Sequence, residues 1–154
     1  LNRIVFTTGL LERDGAVLLV ASQYPNQPVA IWNLPGGRQR PGELLPATLA
    51  REFREEVGLA IDVGGLRYVA ESYDRSGDAH VVCAAFDVEG SGDPALDPSD
   101  PHVVAMAWVP RAELPARLAV GVIREPMLQN LADPSRRYFG FADAGITISF
   151  ADSS

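Results

Sequence analysis

Residues 36–59 read GGRQRPGELLPATLAREFREEVGL, and the fold turns on how this stretch is arranged. Four glutamates, Glu43, Glu52, Glu55 and Glu56, sit among arginines, glycines and a short apolar stripe. Pro46 to Val57 reads as a helix. Pro46 suits the first helical turn, where its missing N–H is not needed, and Gly58 suits the position just past the end. At 100° per residue, Leu49, Ala50, Phe53 and Val57 share an arc of roughly 100°, enough apolar face to dock on a sheet. Glu52, Glu55 and Glu56 fall together on the adjoining arc. Like charges at i,i+3 and i,i+4 cost a helix a few tenths of a kcal/mol per pair, and glutamates near its C-terminus face the wrong end of the macrodipole. Arg51 offsets part of this through its i,i+4 contact with Glu55 but does not balance the cluster. A helix acidic only for solubility is the plainer explanation. A hard divalent cation, which takes oxygen ligands, is the sharper one. Gly36 and Gly37 let the backbone approach a metal or a phosphate, and Gly42 allows a tight turn before Glu43.

Upstream, RIVFTTGLLE reads as a strand, Arg13-Asp14-Gly15 as a hairpin turn and AVLLVAS as a buried strand. QYPNQPVAI reads as a loop, and WNLPGG as a short extended piece ending in a flexible glycine pair. Downstream, LRYVAESYD and HVVCAAFDVE read as antiparallel strands joined by a Ser76-Gly77-Asp78 turn. A polar Pro/Gly/Asp loop follows, then the strand VVAMAWV and a short helix, REPMLQNLA. The tail RRYFGFADAGITISF is ambiguous, with a terminal hairpin as one reading. Strands on both sides of one long helix predict a mixed sheet covered by helices.

The chain has 154 residues, enough for one domain with one core. A net charge of −7 argues against a duplex nucleic-acid binder but not against a small phosphorylated ligand, because a metal reverses local charge. The single cysteine, Cys83, excludes an intrachain disulfide. Its apolar neighbours mark it as a packed thiol, which fits a reducing cytoplasm. No apolar run approaches the roughly 18 residues of a membrane span. The first residue is Leu1, so a removed targeting segment stays open.

Gly37, Glu43 and then Arg51-Glu52-Phe53-Arg54-Glu55-Glu56-Val57-Gly58-Leu59 resemble the Nudix box, G-x5-E-x7-R-E-U-x-E-E-x-G-U, with U a bulky aliphatic. All the fixed identities are present. Phe53 departs from the usual aliphatic but fills the same core-facing position. WNLPGG before residues 37–59 and AWVPRAEL after them extend the likeness over most of the chain. The resemblance implies a single Nudix domain over residues 1–154, an α/β/α sandwich with a mixed, curved β-sheet and a loop–helix–loop metal site. It implies Mg2+- or Mn2+-dependent hydrolysis of a nucleoside diphosphate linked to another group, with a small-molecule nucleotide as substrate. Glu52, Glu55 and Glu56 would be metal ligands, with the Gly36 carbonyl as a further one. Arg51 would orient the glutamates, and Glu43 would brace the loop through a salt bridge to Arg51. Glu56 or Glu52 is the first choice of general base. Many members take a base from a glutamate in a later loop. Here that position is His102, which is itself a candidate, with Asp97 and Asp100 as substitutes. A homodimer, common in the family, is left open.

For the substrate, Trp32, Asn33, Gly36 and Gly37 resemble the oxidised-purine nucleoside triphosphatases of the family. An Asn amide at this place can pair a donor and an acceptor on a purine edge. Arg38 and Tyr73 join Asn33 and Trp32 as expected substrate contacts, and Tyr24, Tyr73 and Phe86 are candidate stacking surfaces. The expected reaction takes a (d)NTP, ordinary or oxidised, to the monophosphate plus pyrophosphate. ADP-ribose, nucleotide sugars and dinucleoside polyphosphates are the alternative substrates, and a non-catalytic nucleotide sensor is the alternative class. His80, at a strand start, reads as a core or edge residue.

Overall fold

The computed structural model describes residues 2–74 and 78–142. Strand β1 (Asn2–Leu10) is followed by the hairpin of β2 (Glu12–Arg13) and β3 (Ala16–Ser22). Asp14 and Gly15 turn that hairpin with φ of 51° and 77°, the left-handed pair that tight hairpins require. Then come β4 (Ile31–Asn33), β5 (Gly36–Arg38), helix α1 (Leu45–Val57), β6 (Asp62–Asp74), β7 (Ala79–Glu89) and β8 (Val103–Pro110). A 3-10 turn (Arg111–Glu113) runs into the short α2 (Leu114–Arg117), followed by α3 (Gly121–Ala132) and β9 (Tyr138–Ala142).

Five strands form a mixed sheet in the order β5-β1-β7-β6-β9. The β1–β7 and β6–β9 pairs are parallel, while β1–β5 and β6–β7 are antiparallel. In the second sheet β3 is central, with β8 along one edge and β2 and β4 along the other. Side chains of β3 alternate between two cores. Val17 and Leu19 pack with Leu114, Leu118 and Met127 of α2 and α3, and Leu18 and Val20 pack with Leu49, Phe53 and Val57 of α1. A strand covered on both faces reads as a continuous apolar run, which explains AVLLVAS. Helices on opposite sides of this strand give the α/β/α sandwich.

Helix α1 follows the sequence closely. Pro46 occupies its first turn, and Gly58 closes it at φ 68°, donating its N–H to the Arg54 carbonyl while Leu59 donates to Phe53. Both bonds satisfy carbonyls that the helix end would otherwise orphan.

Two differences from the sequence reading stand out. Gly36 and Gly37 are not a flexible pair but lie in β5, registered against Thr8 and Thr7 of β1. Helix α2 is short and carries no periodicity to read, and α3 begins at Gly121, ahead of the expected start. The described part of the tail forms β9, parallel to β6; the second arm of the expected hairpin falls in residues 143–154, outside the described residues. Ser76 and Gly77 of the expected turn also lie outside them, and Asp78 has a φ of 49°.

Candidate active site

Strand β5 is tight on both sides, Gly36 against β1 and Gly37 against the Glu52 side chain of α1. A Cβ at Gly36 would lie 2.0 Å from the Thr7 carbonyl oxygen, and one at Gly37 would lie 2.3 Å from the Glu52 carboxyl carbon. This close approach lets the Gly36 N–H donate to Glu56 Oε1 at 2.9 Å. Glu56 is 5% exposed. Burial, reinforced by the charge of Glu52, raises its pKa well above the usual carboxylate range. Burial also raises Glu52, and Arg51 opposes that rise.

Arg51 is the hub. Its Nε and Nη2 donate to the two oxygens of Glu43 at 2.7 and 2.9 Å, a bidentate geometry that suits a planar guanidinium. Its Nη1 reaches Glu52 at 2.8 Å and Glu55 at 3.3 Å, and Nη2 also reaches the Arg38 carbonyl at 3.2 Å. Glu43 further accepts the Arg40 N–H at 3.0 Å and the Thr48 hydroxyl at 3.1 Å. Chiefly through Arg51, its pKa is held down to about 2. One cation thus ties the loop before α1 to the acidic face of α1.

The acidic face opens on a cleft of about 260 Å³, whose walls include Glu52, Glu55 and Glu56 with Gly36, Arg38 and Arg40. Tyr24 and His102 line the same cleft and stack with ring centroids 4.6 Å apart and an interplanar angle of 29°. His102 is pinned by its backbone: its N–H donates to Asp100 at 3.0 Å, and its carbonyl accepts from Gln23 at 2.8 Å. Burial, then the charge of Glu56, pushes the Tyr24 hydroxyl up to about 12. Asn33 also lines the cleft, its Oδ1 accepting the Leu34 N–H at 2.7 Å.

Of the residues expected from sequence, the cleft gathers Gly36, Glu52, Glu55, Glu56, Arg38, Asn33 and His102. Arg51 and Glu43 stand behind this wall. Two expected substrate contacts lie elsewhere. Trp32 packs against the core with the Arg117 guanidinium 4.7 Å over its ring, because neighbours on a strand point to opposite faces and Asn33 takes the cleft side. Tyr73 sits edge-on to His80 at 6.1 Å on the five-stranded sheet. Among the proposed base substitutes, Asp100 lines the cleft, whereas Asp97 closes a turn on Ser99. Phe86 is half-buried against the α1 core. Sequence reasoning missed Arg40, though its cation stands only three residues before Glu43, and it gave no sign that Tyr24 and His102 would meet. Burial pushes the Cys83 thiol up to about 12, in keeping with an inert packed cysteine.

Glu52, Glu55 and Glu56 offer oxygen donors only, the set that hard divalent cations prefer. Among the described residues no three His, Cys, Asp or Glu side chains stand close enough to enclose an ion as they are; Glu52 and Glu55 are engaged by Arg51. Rotation of these two side chains along one cleft wall is what a cation would require. No helix among the described residues is long and apolar enough to cross a membrane.

A sandwich with this loop–helix–loop site defines a recognisable class of phosphate-handling domain. The chain belongs to the NUDIX domain family, whose model matches residues 1–131. It is 32% identical over 82 residues to the CTP pyrophosphohydrolase of Escherichia coli K12, a match covering 53% of this chain and 58% of that protein. It is 34% identical over 87 residues to the ADP-ribose pyrophosphatase of Methanocaldococcus jannaschii, covering 56% of this chain and 50% of that one. The matches thus span half to three-fifths of these relatives. The solved MutT NUDIX hydrolase of Burkholderia pseudomallei superposes with a TM-score of 0.67 at 26% identity, covering 79% of this chain and 94% of that one.

Proposed function

We propose that the chain is a Mg2+- or Mn2+-dependent pyrophosphohydrolase that takes a nucleoside triphosphate, ordinary or oxidised, to its monophosphate and pyrophosphate. The observation that carries this reading is the convergence, in one cleft, of the three α1 glutamates with Arg38 and Arg40. Glu52, Glu55 and Glu56, with the Gly36 carbonyl, would hold the cation. A bound divalent cation supplies Lewis acidity, offsetting phosphate charge and lowering the pKa of water. The chain's own residues do the rest. Arg38 and Arg40 meet the phosphate oxygens. Arg51 keeps Glu52 aimed at the cleft while Glu43 holds Arg51. Glu56, buried beside the Gly36 N–H on the cleft wall, accepts the proton of the attacking water. The water oxygen bonds to the phosphorus nearest the sugar, and the bond to the bridging oxygen breaks, sending its electron pair out with pyrophosphate. His102, held against Tyr24, is the second candidate base. Asn33 contacts the base.

The relatives' names, a CTP pyrophosphohydrolase and an ADP-ribose pyrophosphatase, support the reaction class and keep a second substrate class in view. The test is a panel of (d)NTPs, oxidised (d)NTPs, ADP-ribose, nucleotide sugars and dinucleoside polyphosphates with Mg2+ and Mn2+, in which pyrophosphate is measured directly. Release of pyrophosphate from triphosphates is expected. Turnover restricted to ADP-ribose or nucleotide sugars would overturn the triphosphate assignment.

A further inference from the structure

The cleft has a smaller neighbour of about 30 Å³. Phe6, Thr8, Asn33 and Ile123 line both spaces, so the two adjoin as neighbouring lobes along these residues. The small lobe lies over β6 and β7, beside Ser72 and Cys83, and Phe141 of β9 forms part of its wall. Its volume suffices for about two water molecules. No described lining residue is a cation, and the charged one is Glu71. Arg38 and Arg40 in the large lobe attract a phosphate, and the small lobe offers it no cation. The small lobe therefore suits the uncharged end of a nucleotide, the edge of its base.

Strand β9 lies beyond residue 131, where the family match stops. Two side-chain contacts hold it in place, and a third braces the residue it binds. Phe139 is buried edge-on to Tyr68 with centroids 5.9 Å apart. The Tyr138 hydroxyl donates to Glu71 Oε1 at 2.6 Å, and the other oxygen of Glu71 meets His80 Nε2 at 2.5 Å. The register sets Phe141 beside Ser72 and Gly140 beside Glu71, so the strand that carries Phe141 is locked to a residue of the lobe it bounds.

We propose that β9 is the specificity wall of the site: Phe141 sets how deep the base edge reaches, and the Tyr138–Glu71 contact fixes the strand that presents it. The inference rests on the nucleotide reading above. Its test is kcat/KM for CTP, UTP, ATP and GTP in the wild type and in Phe141→Ala, Phe141→Trp and Tyr138→Phe. Pocket contacts of this size shift discrimination by about tenfold or more. Phe141→Ala deepens the lobe and raises the purine-to-pyrimidine ratio about tenfold. Phe141→Trp lowers the ratio, and Tyr138→Phe moves it in the direction of Phe141→Ala by about twofold. Opposite shifts from the two Phe141 variants are a signature that loss of packing alone does not give. If Phe141→Ala does not fold, the Trp and Tyr138 variants carry the comparison. Ratios unchanged in every folded variant overturn the inference and leave the nucleotide reading intact. If the wild type cleaves only nucleoside diphosphate compounds, the triphosphate reading falls. The same ratio, read between purine and pyrimidine nucleotide sugars, then upholds or overturns the wall. No turnover of any compound overturns both.

Discussion

At the β5–α1 end of the cleft, Gly36, Glu43, Arg51, Glu52 and Glu56 come from one short run of chain; Arg51 joins Glu43 to Glu52 by charge-assisted hydrogen bonds, and the Gly36 N–H holds Glu56. At the β9 end, Thr8, Asn33, Ser72, Cys83 and Phe141 come from five different strands, and what brings them together is sheet register and packing. The first end is built on shared charged hydrogen bonds, so removing Arg51 releases Glu43, Glu52 and Glu55 together. The second is an assembly of separate contacts, each adjustable alone. A reaction centre needs the former and a substrate filter tolerates the latter.

The comparison is broken most directly at Glu56. Glu56→Gln retains an oxygen for the Gly36 N–H and is expected to fold. Its kcat should fall at least about a thousandfold, within the range that general-base catalysis supplies. Near wild-type turnover in a folded Glu56→Gln protein would remove the chemistry from this end. Gly37→Ala pushes a methyl into Glu52. About a hundredfold loss of kcat/KM is expected from the displaced carboxylate, and a loss below threefold would mean that Glu52 has room to yield. Glu43 sharpens the comparison through pH. Its folded pKa, near 2, lies below the ordinary 4.5, so the stability it contributes is complete above about pH 4.5 and drains away as pH falls towards 2. Urea midpoints should drop over that window in the wild type and less steeply in Glu43→Gln, which should also be about 1–2 kcal/mol less stable at pH 7 from the lost charged hydrogen bonds. The smallest effect is expected at Trp32. Trp32→Phe should lower the melting temperature by a few degrees and leave kcat/KM within about twofold of the wild type. A loss there as large as in Asn33→Ala would put Trp32 back in the site.

The same contrast explains what could be read from sequence. Helix α1, its glycine stop and its acidic arc are local, so periodicity and spacing reveal them. The Asp14-Gly15 hairpin and the doubly covered β3 are legible for the same reason. The extra strand around Gly36 is not, because its glycines pair with Thr7 and Thr8, which lie far off in the chain. Trp32 and Asn33 are adjacent in sequence, yet strand alternation sends one to the core and one to the cleft. The stacking of Tyr24 on His102 joins residues 78 positions apart, and nothing local to either announces the other. The placement of β9 depends on pairing with β6 and on Phe139 entering the core, and nothing in its own sequence names β6 as the partner.

The bond from the Gly36 N–H to Glu56 also gives the site a spectroscopic observer. That proton belongs to the sheet and takes no part in bond making, yet it points at the carboxylate on which the proposed chemistry turns. Its amide resonance will shift whenever the charge on Glu56 changes, through a proton, a cation or an arriving phosphate. A single backbone signal can therefore be followed through a titration, reporting on the acidic face of α1 from the strand that faces it.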